Sequence, residues 1–404
     1  MRVSIKPGLC AGSVSAPPSK SCAHRMLISA ALAQGESRIK GLSRSEDMLA
    51  TLDCIAALGA RASLDGDTAI ITGGKAAADG EAVFPCRESG STLRFMIPIA
   101  AACCDRVRFT GTKRLYERGV GIYEELFAQK GIGIKKHPEG LEISGKLPPG
   151  EYVFRGDVSS QFVTGLLFAL PLLDGDSLIR VLPPVESRGY IDLTLDVLKK
   201  FGVTVTEAPE NTFLIAGGQS YAPRSVQVEG DWSNAAALLA LNNLGGAVTV
   251  TGLNEDSIQG DRVCAEYLSR LKSPNAQIDI SNCPDLGPVL MAAAAHAGVG
   301  AVFTGTRRLR IKESDRAEAM AQELRKFGTE VEVNDNSVII KPGRLQSPTE
   351  ILSGHNDHRI VMAMSLLASA VGGTIDGASA VRKSYPDFFD VLRRLGLEVE
   401  YADK

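Results

Sequence analysis

Asn356–Gly373, NDHRIVMAMSLLASAVGG, sets four polar or ionisable residues directly before an apolar run closed by two glycines. An apolar run without a polar face reads as a helix buried on all sides. Its polar start leaves open what waits at the helix mouth: a metal, a catalytic base, an anion or only a cap. The pattern recurs in SKSCAHRMLISAALAQG, SGSTLRFMIPIAAACC, SSQFVTGLLFALPLLDG, DWSNAAALLALNNLGG and PDLGPVLMAAAAHAGVG, which makes six copies in all. After each copy comes a short β-type run, as in ESRIKGL, RVRFTGT, DSLIRVL and AVTVTGL.

A second, amphipathic helix follows, clearest in DMLATLDCIAALGA, IDLTLDVLKKFGV, AEAMAQELRKFGT and DFFDVLRRLGL. Five of these helices end at Gly59, Gly131, Gly202, Gly328 and Gly396, and the fourth copy has Lys272 there. The steps are about 70 residues, with one shorter step into the fifth copy. Glycine suits the left-handed position that closes a helix. Alternating runs such as ARASLDGDTAIITGG and TEVEVNDNSVIIKPG then predict hairpins. The sixth copy stops at LEVEY without a partner strand, and MRVSIKP at the chain start is the spare strand that fits. The predicted fold class is therefore α/β: two domains of three units each, with buried parallel helices and outer sheets. One domain spans 1–18 and 229–404, the other 19–228, and the chain crosses near Pro17–Pro18 and near Val228–Gly230.

With 404 residues, 44% of them hydrophobic, the chain has material for two or three large cores. No apolar run reaches membrane-span length, and MRVSIKPGLCAGS does not read as a signal peptide. A formal charge of −3 excludes an overall basic nucleic-acid binder. The eight cysteines form no CxxC, which points to reduced thiols and a cytoplasmic location.

Six buried helices with capping residues at their starts would favour an anion, if three per domain face a common cleft, by about 0.3–1 kcal/mol each. Side-chain cations must add to this. Lys20, Arg25, Arg118, Lys312, Arg316, Arg359 and Lys383 all lie in cap segments or in loops before the second helices. Asp285 and Glu313 keep similar company: Asp285 reads equally as an N-cap, Glu313 equally as an ion-pair partner, and both as proton carriers. His355 and His358 have no third histidine or cysteine cluster to complete a metal site, so no metal is expected. There is no GxxxxGK[ST], and Gly12–Ala16 matches a hydrolase elbow only in part.

The motifs APPSKSCAHR, SGSTLR, GDVSSQF, VEGD, QGD, RIKESDR, NDHR and KSYPDFF occur in the order seen in the EPSP synthase family, the 3-phosphoshikimate 1-carboxyvinyltransferases, and the resemblance runs over essentially the whole chain. It implies an inside-out α/β barrel fold and transfer of the enolpyruvyl group of phosphoenolpyruvate to the 5-hydroxyl of shikimate 3-phosphate, on the path to chorismate and aromatic amino acids. It implies no metal or organic cofactor, no nucleic-acid or membrane partner, and a monomer. Lys20 resembles the lysine that touches both substrates. Ser21, Arg25, Ser159, Ser160, Gln161, Ser187, Tyr190, Asp285 and Lys312 resemble the shikimate 3-phosphate site. Gly90, Arg118, Gln161, Arg316, Arg359 and Lys383 resemble the phosphoenolpyruvate site. Asp285 is expected as base on the 5-hydroxyl and Glu313 as acid/base at C3, with Lys20 and His358 assisting.

Some positions depart from the family pattern. Glu88 stands where Asn is common, Gly119 where Pro is common, and Arg308 where an Asn serves in some members. Gly90 implies sensitivity to glyphosate, and Phe95 stands near a position that is often Pro. The related amino-sugar enolpyruvyl transferases carry a reactive Cys where this chain has Lys113. A non-catalytic sugar-phosphate binder would leave both carboxylates dispensable. An RNA-end ligase would need a basic surface and a nucleotide site.

Overall fold

The computed structural model describes residues 1–74, 82–138 and 140–402. All six apolar runs are helices: α1 (Lys20–Leu32), α2 (Gly90–Cys103), α3 (Ser160–Ala169), α4 (Trp232–Ala240), α5 (Gly287–Ala297) and α6 (His358–Val371). Their burial runs all round the helix: every residue from Cys22 to Ala31 of α1 and from His358 to Ser369 of α6 is buried. Four of them carry the side-chain cap that their sequences offer. Ser89 accepts from the Thr92 N–H, Ser159 from Gln161, Asp231 from Asn234 and Asp357 from Arg359. The fifth helix differs. It leaves a 3-10 turn, Pro284–Leu286, with Pro288 in its first turn and no side-chain cap.

The strands before and after a buried helix pair in parallel, as a helical crossover allows. Ala82–Arg87 pairs with Arg106–Gly111, Gly150–Arg155 with Ser177–Leu182, Ala276–Asp279 with Ala301–Thr304, and Leu352–Ser353 with Gly373–Asp376. An antiparallel hairpin such as Gly133–His137 with Gly140–Ser144 completes each of the first three sheets. For α1 and α4 the parallel partner comes from a distant segment: Ser225–Gln227 pairs with Gly35–Lys40, and Ala11–Ser15 with Ala247–Thr251. In the sixth unit, Arg2–Ile5 lies between Gly373–Asp376 and Val399–Ala402, antiparallel to both. Val3 and Ile5 point to the core while Arg2 is exposed, the alternation of a strand with one buried face. The fourth unit keeps two strands only, where the shorter chain step leaves no hairpin.

The chain divides into two compact units, Met1–Ser19 with Glu229–Lys404, and Lys20–Val228. The Ser19 N–H donates to the Glu229 carbonyl at 2.8 Å in the first, and the Val228 N–H to the Lys40 carbonyl at 2.9 Å in the second. Each unit has its own core. Leu27, Phe95 and Phe168 lie in that of residues 20–228, and Leu238, Met291 and Met362 in the other. Gly202 and Gly328 end their amphipathic helices at φ of +83° and +77°, a region closed to most side chains. Among the described residues no helix is long and apolar enough to cross a membrane. All eight cysteines are free thiols, seven of them buried.

Candidate active site

In the unit Lys20–Val228, the start of α1 places two cations. Lys20 Nζ donates to Asp47 Oδ2 at 2.8 Å, across to the first turn of the helix Glu46–Ala57. Arg25 is buried and donates only to neutral oxygens: Thr194 Oγ1 at 2.8 Å, the Ser21 carbonyl at 2.8 Å, the Tyr190 carbonyl at 3.0 Å and Thr164 Oγ1 at 3.4 Å. Its Cζ stands 5.1 Å from the centre of the Phe95 ring. Burial pulls its pKa down to about 10, still far above neutrality. Ser21, Arg25 and Tyr190 are thus brought together. Ser187, at the start of the same helix as Tyr190 and Thr194, is buried with a left-handed backbone at φ 57°, uncommon for a residue with a side chain.

The starts of α2 and α3 carry a second group. Gln161 Nε2 donates to Ser91 Oγ at 2.9 Å, and its Oε1 accepts from Arg94 at 2.7 Å. Arg94 also donates to the carbonyls of Arg118 and Gly119, at 2.9 and 3.1 Å. Gly90 opens α2 so close to Arg118 that a methyl group there would lie 2.8 Å from its guanidinium. Ser159 and Ser160 are buried at the mouth of α3. Arg94 was not among the residues singled out from sequence, although a lone arginine in an otherwise apolar helix is a readable signal.

In the other unit the predicted residues form one ionic knot. Arg316, 1% exposed, donates to Asp285 Oδ1 at 2.7 Å, Glu313 Oε2 at 2.7 Å and Asp357 Oδ2 at 2.8 Å. Lys312 Nζ donates to the same Asp285 oxygen at 2.9 Å, and Ser314 Oγ to Asp357 at 3.0 Å. Asp285 is therefore no cap. Its side chain turns to the two cations, and the cap of α6 is Asp357. Burial would raise the pKa of Asp285, but Lys312, Arg316 and Arg359 outweigh it and hold the carboxyl well below its ordinary range. Burial lowers that of Lys312, with Arg316 and Arg308 adding repulsion against the pull of Asp285. For Arg316 burial is overcome by its three carboxylates, and the pKa rises.

At α6, Arg359 Nη1 donates to the Ser233 carbonyl at 2.8 Å and to Asn234 Oδ1 at 3.0 Å. Lys383 Nζ donates to the Asn356 carbonyl at 2.6 Å. His358 is buried, with Nδ1 3.9 Å from Asp357 Oδ1, an ion-pair separation too long for a hydrogen bond. His355 stands apart from it: its Nε2 meets the buried Glu323 at 2.8 Å, beside Lys326. Asp47 and Asp357 are the charged partners that sequence reasoning missed, because each lies far along the chain from the cation it holds.

Three carboxylates, Asp285, Glu313 and Asp357, are thus held among cations, and comparison with known proteins gives the class of the chain. The family model for EPSP synthase (3-phosphoshikimate 1-carboxyvinyltransferase) matches residues 6–392. A curated relative named 3-phosphoshikimate 1-carboxyvinyltransferase, from Clostridium kluyveri, is 40% identical over 98% of both chains. One of the same name from Clostridioides difficile is 38% identical, again over 98% of both. A solved EPSP synthase from Acinetobacter baumannii superposes with a TM-score of 0.79 over 99% of this chain and 100% of that one, at 23% identity. The chain belongs to the EPSP synthase family.

Proposed function

We propose that the chain transfers the enolpyruvyl group of phosphoenolpyruvate to the 5-hydroxyl of shikimate 3-phosphate, and that the two residue sets act on this one pair of substrates. Family membership supports the reaction. The observation that carries the chemistry is the pairing of two carboxylates, Asp285 and Glu313, on the single guanidinium of Arg316. One ionised carboxylate is then available to a hydroxyl, and a second lies within reach of the same cation.

The hydroxyl oxygen bonds to C2 of phosphoenolpyruvate as its proton leaves, and C3 gains a proton, giving a tetrahedral ketal phosphate. Loss of a C3 proton then breaks the C2–O bond to phosphate and restores the double bond in the product. Asp285 serves as base on the hydroxyl. Its low pKa keeps it ionised and makes it a weak base while Lys312 and Arg316 hold it. Drawing those cations toward substrate anions raises its basicity as the substrates bind. Glu313 works at C3, with Lys20 and His358 assisting.

Ser21, Arg25, Ser159, Ser160, Gln161, Ser187, Tyr190 and Lys312 hold the acceptor. Lys20, Gly90, Arg118, Gln161, Arg316, Arg359 and Lys383 serve the donor. Two anionic substrates repel each other, and preorganised cations offset that repulsion most in the transition state. Phosphate release with both substrates present and no added metal is expected, with none when either is omitted. Tight binding of shikimate 3-phosphate without release would make the chain a binding protein. Release with an amino-sugar nucleotide in place of shikimate 3-phosphate would make it the other kind of enolpyruvyl transferase.

A further inference from the structure

Asn234 is fully buried in α4, followed by three alanines, where a bare amide is costly unless its hydrogen bonds are used. Asp231 caps the helix by accepting from the Asn234 N–H at 2.7 Å, which sets the turn from which the side chain projects. Asn234 Oδ1 accepts from Arg359 Nη1 at 3.0 Å and from Ser384 Oγ at 3.3 Å. The Ser233 carbonyl accepts from that same Nη1 at 2.8 Å. Both hydrogens of Nη1 are thereby engaged by neutral oxygens, which fixes the plane of the guanidinium. Two buried nitrogens of this cluster, Asn234 Nδ2 and Arg359 Nε, have no hydrogen-bond partner among the described residues, and both are donors. Ser384 adjoins Lys383, so one amide ties together the segments that carry two cations.

We infer that Asn234 is a positioning residue for phosphoenolpyruvate: it holds the Arg359 guanidinium in place through an uncharged acceptor and so leaves its charge for the substrate's anionic group. The contrast with Arg316 gives the reason. An aspartate at 234 has nearly the same shape and accepts the same bonds, but it adds a buried carboxylate that would neutralise Arg359, as Asp285, Glu313 and Asp357 do for Arg316. The amide supplies the geometry without the compensating charge.

The inference rests on the reading of Arg359 as a phosphoenolpyruvate ligand, and steady-state kinetics on the full chain separates the two. Asn234→Asp is expected to raise KM for phosphoenolpyruvate by at least about tenfold, with KM for shikimate 3-phosphate within about twofold and Tm close to that of the parent. Asn234→Ala should raise the same KM, and Asn234→Ser, which restores a neutral acceptor, should recover most of the loss. A phosphoenolpyruvate KM within about twofold of the parent for Asn234→Asp overturns the proposal, as does a loss in Asn234→Ser equal to that in Asn234→Ala. If Asn234→Asp does not fold, the Ala and Ser pair decides alone. Arg359→Ala reports on the underlying reading. An unchanged phosphoenolpyruvate KM there sinks the role of Arg359, whereas a raised KM there with an unchanged one in the Asn234 variants sinks only the role of Asn234.

Discussion

Arg25 and Arg316 are buried alike, 2% and 1% exposed, yet they are held in opposite ways. Among the described residues every acceptor around Arg25 is neutral, a threonine hydroxyl or a backbone carbonyl. Around Arg316 every acceptor is a carboxylate. A guanidinium in a neutral cage keeps a full positive charge to offer an anion, at the cost of a lowered pKa. A guanidinium among three carboxylates is over-neutralised, so a substrate anion must compete with them for it. By its hydrogen bonds Arg359 resembles Arg25, since its acceptors are also neutral, while its charge also acts on Asp285. The buried arginines are thus held by two different kinds of partner.

The sharpest way to break the contrast is Arg316→Ala, which strands Asp285, Glu313 and Asp357 together. Removing one partner of a buried pair costs about 3–5 kcal/mol. An unfolding free energy lowered by less than about 1 kcal/mol, from denaturant titration, would mean that the knot is not an organising centre. Asp285→Ala should follow, cutting kcat by at least about a hundredfold while shikimate 3-phosphate binding changes only a few-fold. Equal losses in turnover and binding contradict its role as base. Arg25→Met tests the neutral cage. With no carboxylate left behind, stability should change by no more than about 1–2 kcal/mol, while KM for shikimate 3-phosphate rises by roughly tenfold or more. A collapse in stability as large as that of Arg316→Ala would erase the distinction.

The smallest effect is in acid. The pKa of Asp285 is depressed in the folded chain, so its contribution to stability is complete above the unfolded value of about 3.9 and is lost as pH falls through the folded value. Urea midpoints should therefore decline less below about pH 4 in Asp285→Asn than in the parent, and parallel declines would remove Asp285 from the ionic account.

Most of the architecture was readable because it is written in hydrophobicity. Helices such as α2 and α6 are apolar all round, and glycines such as Gly202 and Gly328 mark where amphipathic helices stop. The strands that lead into the buried helices went unread, among them Ala82–Arg87, Gly150–Arg155, Ala276–Asp279 and Leu352–Ser353. Ala11–Ser15, AGSVS, is small, polar and mostly exposed, and Ser225–Gln227 has three residues, so neither carries a period long enough to register. The cationic residues stood out against apolar helix starts, and Glu313 stood out as an ion-pair partner, but Asp47 and Asp357 did not. Asp47 looks like any acid in the first turn of a helix, and only folding brings it to Lys20. Asn234 was invisible for a similar reason: a single amide among alanines has no meaning until Arg359, 125 residues away, is placed beside it.

The strand Arg2–Ile5 precedes residues 20–228 along the chain, yet its two neighbours begin at Gly373 and Val399. During synthesis it must stay unpaired while all of residues 20–228 is made and free to fold, and that stretch contains its own hydrophobic core. The unit of Met1–Ser19 with Glu229–Lys404 is thus closed by a strand made ahead of the whole other unit, and its sheet cannot be completed until that unit has been synthesised.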